Sequence, residues 1–299
     1  MAIATLAQLK QRLGVPTADT SQDDALTALL AQAQALAEKH VGYPFEQTAA
    51  VTEYHAGTGR EYLSLRRVPV TFVQPTGTVA SGSTAVTGLS SASRLVAGMP
   101  VVAPDYLPAG TVLSSVNAGA LTAVLSRAAT ASGSGVRLSC GCAAWLDQGA
   151  EAGQGEDDFP EDTALEPGTD YSLRPTSGPA GLFASGLLRR PGGVWPRHAR
   201  RTSGWLHAAV PGPLSADQTI KVVYTAGWAA ADIPADLAWA VLDVCALAFR
   251  GRVAGGVVSS VSFDGLSFSL DSGRLMDAWM GWLAGGGGAI LARYRRTPV

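Results

Sequence analysis

TGTVASGSTAVTGLSSASRLVAGMPVVAPDYLPAGTVLSSVNAGALTAVLSRAATASGSGVRLS, residues 76–139, holds only four charged side chains, Arg94, Asp105, Arg127 and Arg137, and a single aromatic, Tyr106. The chain as a whole is 15% charged, so this stretch is a distinct compositional block. Its short Val-, Thr- and Leu-bearing runs at 84–89, 100–103, 111–116, 120–125 and 136–139 predict strands, and Asn117-Ala-Gly119 predicts a hairpin turn. Several strands at this spacing predict a sandwich-like all-β module. Helical signals flank it on both sides, which places it as an insertion into a host domain, where closing a long loop adds cost only logarithmically.

Working outward, residues 21–42 carry the clearest helical period, with Leu26, Leu29, Leu30, Ala33, Leu36, Ala37 and Val41 recurring at steps of three and four. Ser21, Asp23 and Asp24 suit its first turn, and Gly42 with Pro44 stops it. A shorter helix precedes it, with Leu6, Leu9 and Leu13 on one face, Thr5 as cap and Gly14-Val-Pro16 as stop, so the two form a helical hairpin. Pro234 at a first-turn position, Asp236, and the face Leu237, Val241, Val244, Cys245 and Ala248 predict a third helix ending near Gly251. Two further helices, 274–283 and 289–294, are separated by the glycines 285–288. Each glycine disfavours helix by about 1 kcal/mol relative to alanine, so the run reads as a hinge. Strands are predicted at 61–65, 70–73, 170–173 and 219–224. The expected fold class is therefore α+β: a helical-bundle core with a small β-sheet, plus an inserted all-β sandwich-like domain. The expected divisions are 1–75 and 143–299 for the two parts of the core and 76–142 for the insert.

Twenty-two basic against 24 acidic residues leave a net charge of −2, which gives no global pull toward nucleic acid or an anionic membrane. Apolar runs at 237–249 and 275–291 are broken by Asp243, by Asp277 and by the glycines, well short of the ~20 apolar residues a bilayer demands, so no membrane span is expected. Cys140, Cys142 and Cys245 form neither a disulfide framework nor a zinc spacing and fit a reducing compartment. The opening Met1-Ala-Ile-Ala-Thr5 lacks the basic start and apolar run of a secretion signal.

Charge is segregated locally. Residues 147–170 contain nine acids, among them Glu156, Asp157, Asp158, Glu161 and Asp162, and no lysine or arginine. Residues 189–201 contain Arg189, Arg190, Arg197, Arg200 and Arg201 without an acid, interleaved with Trp195 and His198. The acidic run lacks the spacing of a calcium loop, the glycine run lacks the Lys-Ser/Thr of a phosphate loop, and no G-x-S-x-G elbow occurs. No enzymatic chemistry, metal or cofactor is expected. The arginine-rich stretch suits pairing with carboxylate or phosphate, and Arg293-Tyr-Arg-Arg296 beyond the glycine hinge suits docking.

Three segments taken together carry a resemblance: Leu6-Ala-Gln-Leu-Lys10 with the helix running to Gly42-Tyr-Pro-Phe45, Val222-Val-Tyr-Thr-Ala-Gly227 running into Ile233-Pro-Ala-Asp-Leu237, and Ile290-Leu-Ala-Arg-Tyr-Arg-Arg296. In this order they resemble the head-tail connector, or head-completion adaptor, proteins of tailed double-stranded DNA bacteriophages. Leu63-Ser-Leu-Arg-Arg-Val-Pro-Val70 and Gly168-Thr-Asp-Tyr171 are similar to strand segments of that family, so the resemblance covers about residues 1–75 and 165–299. The stretch 76–139 departs from that pattern and looks like the immunoglobulin-like or related β modules inserted in phage structural proteins.

The resemblance implies a non-enzymatic virion protein of the neck, made in the host cytoplasm. Copies would close into a ring, typically of twelve, beneath the portal protein, extend the channel for double-stranded DNA, meet the tail or tail-completion protein and complete the head after packaging. Portal docking would fall to Ile290, Leu291, Arg293, Tyr294, Arg295 and Arg296. Arg189, Arg190, Arg197, Arg200 and Arg201 would face a neighbouring subunit or the channel, and Glu156, Asp157, Asp158, Glu161 and Asp162 a neighbour. Five arginines in each of twelve copies make roughly sixty, against about 24 phosphate charges on ~40 Å of duplex, so most should meet carboxylates. The rival expectation is a surface or carbohydrate-binding protein built around the β module, against which stands the lack of an aromatic stripe in it.

Overall fold

Helix α1 (Leu6–Leu13) starts at a complete capping box: the Thr5 hydroxyl accepts the Gln8 amide at 3.2 Å while the Gln8 side chain accepts the Thr5 amide at 2.8 Å. The loop that follows wraps a buried cation. Lys10 Nζ donates to the carbonyls of Asp19 (2.7 Å) and Thr17 (3.3 Å) and pairs with the Asp23 carboxylate at 2.5 Å, so its buried charge is compensated. Asp23 opens α2 (Asp23–Val41), which has acids in its first turn and Lys39 and His40 in its last, as the helix dipole favours. A 3-10 turn (Ala230–Asp232) and Pro234 lead into α3 (Ala235–Ala254), followed by α4 (Ser272–Trp282), a π turn (Leu283–Gly287) and α5 (Gly288–Ala292). The central helix is α3, in contact with α1, α2, α4 and α5. Leu9, Leu26, Leu29, Ala33, Leu237, Val241, Val244 and Cys245 fill the interior of these elements.

The computed structural model describes residues 2–146, 164–175, 183–195, 218–254 and 272–295. They fall into two units: the helical one just described, drawn from Met1–Glu46 and Trp228–Thr297, and a β unit drawn from Gln47–Gly227. The fold is α+β, as the sequence predicts.

The β unit contains, in chain order, β1 (Thr48–Ala56), β2 (Tyr62–Ser64), β3 (Val70–Thr71), β4 (Thr76–Val79), β5 (Ala85–Thr87), β6 (Val101–Val102), β7 (Leu113–Asn117), β8 (Thr122–Leu125), β9 (Gly133–Arg137), β10 (Ser139–Cys140), β11 (Cys142–Leu146), β12 (Ser172–Pro175), β13 (Phe183–Arg189) and β14 (Gln218–Ala226). Strand β14 organises a seven-stranded antiparallel sheet, pairing with β1 on one edge and with β11 and β3 on the other, while β13 joins β3, β2 and β12. Ile220, Val222 and Tyr224 alternate along β14 and bury one face against Leu63, Leu65, Tyr171, Leu188 and Trp195.

Strands β4, β5, β7, β8 and β9 form a separate five-stranded sheet in the order β7-β8-β5-β4-β9, and β6 pairs with β10. They enclose their own core, including Val79, Val86, Met99, Leu113, Leu125 and Leu138. In the β7–β8 hairpin the Asn117 side chain accepts the Ala120 amide at 3.1 Å, where the sequence predicts the turn. This stretch opens and closes at one place: the backbones of Val73 and Cys140 exchange hydrogen bonds of 3.0 and 2.9 Å.

Candidate functional site

The segments that carry the resemblance meet around Tyr294, just beyond α5. Tyr43, after α2, donates its hydroxyl proton to the Tyr294 carbonyl at 2.6 Å across 251 residues of sequence. The Tyr294 hydroxyl in turn donates to Asp236 in the first turn of α3. Arg293 adds a long ion pair to the same carboxylate, at 3.9 Å. Trp228 packs edge-on against the Tyr294 ring at 6.3 Å, and its amide donates to the Phe45 carbonyl at 2.8 Å. Burial raises the pKa of both tyrosines, and for Tyr294 the bond to Asp236 adds to the effect, so both remain donors at neutral pH. Beneath them Leu291 is fully buried.

Of the expected docking residues, the structure therefore seats Leu291 and Tyr294 against the chain's own helices. Ile290 is half-buried, Arg293 and Arg295 are exposed, and Arg296 lies outside the described residues. Arg189 and Arg190 are also engaged within the chain. Arg189 forms an ion pair with Glu61, and the Arg190 guanidinium lies 5.9 Å from the Trp195 ring centre. Trp195 is not a free stacking face: it is buried, and its indole N–H donates to the Leu188 carbonyl at 3.2 Å. Arg197, Arg200, Arg201, Glu156, Asp157, Asp158, Glu161 and Asp162 lie outside the described residues.

A second buried polar cluster sits on the seven-stranded sheet. Glu53 on β1 accepts hydrogen bonds from the Tyr224 hydroxyl and from the Arg66 amide (3.0 Å), and lies 2.8 Å from His55 Nε2. Burial pushes this carboxyl up, but bonds from His55, Tyr224 and Arg66 outweigh it and hold the group below the usual range. Its donors are all supplied from within, so it reads as a structural network. The thiols of Cys140, Cys142 and Cys245 are pushed up to about 12 by burial, which leaves almost no thiolate for chemistry. Among the described residues no group of three or more His, Cys, Asp and Glu side chains is placed to hold a metal, and no helix is long and apolar enough to cross a membrane.

The chain matches no protein-family model, no curated protein and no solved structure. Tyr43, Trp228 and Asp236 are the site residues that spacing does not reveal. Tyr43 and Asp236 stand inside the segments of resemblance, but nothing in sequence periodicity couples positions so far apart.

Proposed function

We propose that this protein is a head-tail connector of a tailed double-stranded DNA phage: a helical-bundle core with a β-sheet, larger than the small one the sequence suggests, and an inserted sandwich-like β module, assembling as a ring between portal and tail. The observation that carries this reading is that parts of all three segments of resemblance, remote in sequence, converge on Tyr43, Asp236 and Tyr294. Function here is assembly. A closed ring needs one face of each subunit to complement the opposite face of the next, and segregated charge serves that purpose. Because Arg189 and Arg190 already have partners within the chain, the contact to a neighbour's acids at 156–162 falls to Arg197, Arg200 and Arg201. Exposed Arg293 and Arg295 suit a portal surface bearing carboxylates.

The test is the mass of the purified chain in solution, alone and after addition of the portal ring from the same phage. Assembly on the portal at a fixed stoichiometry is expected, and a chain carrying Arg200→Glu and Arg201→Glu should bind without closing a ring. Failure of the unaltered chain to bind the portal would overturn the reading and return attention to the β module as a ligand-binding domain.

A further inference from the structure

Strand β2 is bracketed by arginines that the chain leaves without an acid. Arg60 precedes it and is exposed; Arg66, exposed, and Arg67, half-buried, follow it. The carboxylates beside them are already committed. Glu61 pairs with Arg189, and the buried Glu53 takes its bonds from Tyr224, His55 and the Arg66 backbone amide rather than from a guanidinium. The Arg67 amide is likewise engaged, donating to the Tyr224 hydroxyl at 3.0 Å, and Leu65 and Val68 on either side are buried. The backbone at 65–68 is thus pinned to the sheet while the two guanidinium groups it carries stay unpaired. Among the described residues Arg60, Arg66 and Arg67 form no ion pair, which leaves three uncompensated positive charges along one strand of a chain whose net charge is −2.

The matching anion is in the same sequence. Glu156-Asp-Asp-Phe-Pro-Glu-Asp162 holds five acids and no base, in two clusters set apart by Phe159 and Pro160. Arg60 and Arg66 are six residues apart, as are Glu156 and Asp162. At ~3.3 Å per extended residue each pair spans about 20 Å, so the two acid clusters can reach both ends of β2 at once. We infer that Arg60, Arg66 and Arg67 form the receptor for the acidic segment 156–162 of a second copy of this chain. Arginine suits that role because its planar fork takes a carboxylate through two parallel hydrogen bonds, and a loop already fixed by Glu53 and Tyr224 has little backbone entropy left to lose on binding. Duplex DNA fits less well, since the nine acids at 147–170 of the same chain repel phosphate. The contact is heterologous, arginines of one copy on acids of the next. It deepens the connector reading, on which it rests for the closed ring alone, by setting these three beside Arg197, Arg200 and Arg201.

A heterologous contact has a test that needs no portal. One chain carries Arg60→Gln, Arg66→Gln and Arg67→Gln, changes that keep the amides held by Glu53 and Tyr224. Another carries Glu156→Gln, Asp157→Asn, Asp158→Asn, Glu161→Gln and Asp162→Asn. Sedimentation at low salt should show the unaltered chain associating as its concentration rises, and each variant alone associating at least about tenfold more weakly. Their equimolar mixture should form a dimer that grows no further, because each member keeps one intact half of the contact. A peptide of residues 154–163 probes the same contact without altering the protein. It should dissociate the unaltered chain and bind the chain lacking the three arginines at least about tenfold more weakly than the chain lacking the five acids, and salt should weaken it throughout. An unaltered chain that stays monomeric, or a mixture no larger than its members, overturns the contact between copies. Equal peptide binding by the two variants removes these arginines from it, and binding of duplex DNA but not peptide through them assigns them to phosphate instead. If the mixture dimerises and the unaltered chain does not bind the portal, the contact stands and the connector reading falls.

Discussion

Glu53 shows how a single buried charge can organise an edge strand. It is 6% exposed, and three donors converge on it from β1, β14 and the Arg66 backbone. Because those bonds outweigh burial, its folded pKa lies below its ordinary value of 4.5. A carboxyl depressed in this way contributes stability that is fully present above the unfolded pKa and is lost as pH falls through the folded one. Thermal melts from about pH 7 down to about pH 3 should therefore show a steep acid-side loss. Glu53→Gln should lower stability at neutral pH by about 2 kcal/mol and flatten that loss. Equal acid slopes for the two chains would remove Glu53 from the explanation. The same residue hid its strand from sequence reading. Along β1 the buried positions include Val51 and Glu53, and a carboxylate on the inward face erases the apolar alternation by which a strand is recognised.

Between β10 and β11 a single glycine passes the chain from one core to another. Cys140 belongs to the core of the inserted stretch and Cys142 to that of the seven-stranded sheet, although residues two apart in a regular strand share a face. Gly141 makes the change by adopting φ 106° with its Cα against the Thr71 carbonyl, where a β-carbon would sit 1.9 Å from the oxygen. Its amide donates to Pro100 and its carbonyl accepts from Thr225, so both sides of the junction are pinned. Gly141→Ala combines a left-handed conformation with a backbone clash, and should cost at least about 2 kcal/mol. Denaturant unfolding measures this directly, and a loss below about 0.5 kcal/mol, the ordinary range for surface changes, would show that the junction relaxes freely. The spacing of this pair, neither a disulfide framework nor a zinc set, says nothing of a junction; the glycine between the cysteines explains why they enter different cores. Helices were far more legible, because Thr5, Pro234 and the three- and four-residue leucine steps are local signals.

For the whole molecule, legibility depended on distance along the chain: compositional contrast marks the stretch 76–139, which has a sheet and core of its own, whereas the meeting of Tyr43, Asp236 and Tyr294 leaves no local trace. The insert's geometry makes a further demand. Since Val73 and Cys140 exchange both backbone hydrogen bonds, the ends of the inserted stretch are held as an antiparallel pair, with Cα atoms about 5.5 Å apart. The Gln74 side chain extends the same register by donating to the Ser139 hydroxyl at 3.0 Å. Replacing residues 76–137 with Asn-Gly should therefore close a two-residue hairpin between Pro75 and residue 138, because the Leu138 amide already donates to the Pro75 carbonyl at 2.9 Å; Leu138, whose core leaves with the excised residues, is changed to Thr in the same chain. The excision has a definite cost. Val102 covers Ala143 and Trp145, which become exposed, and Cys140 loses its core, so the shortened chain should also carry Cys140→Ser. With that change it is expected to unfold cooperatively at a lower temperature than the full chain, and to keep the helical circular dichroism of α1 to α5. If the connector reading holds it should also keep its affinity for the portal, because the tail and its contacts to Tyr43 and Asp236 lie in the helical unit. Non-cooperative melting would mean that the inserted core is needed to complete the host sheet.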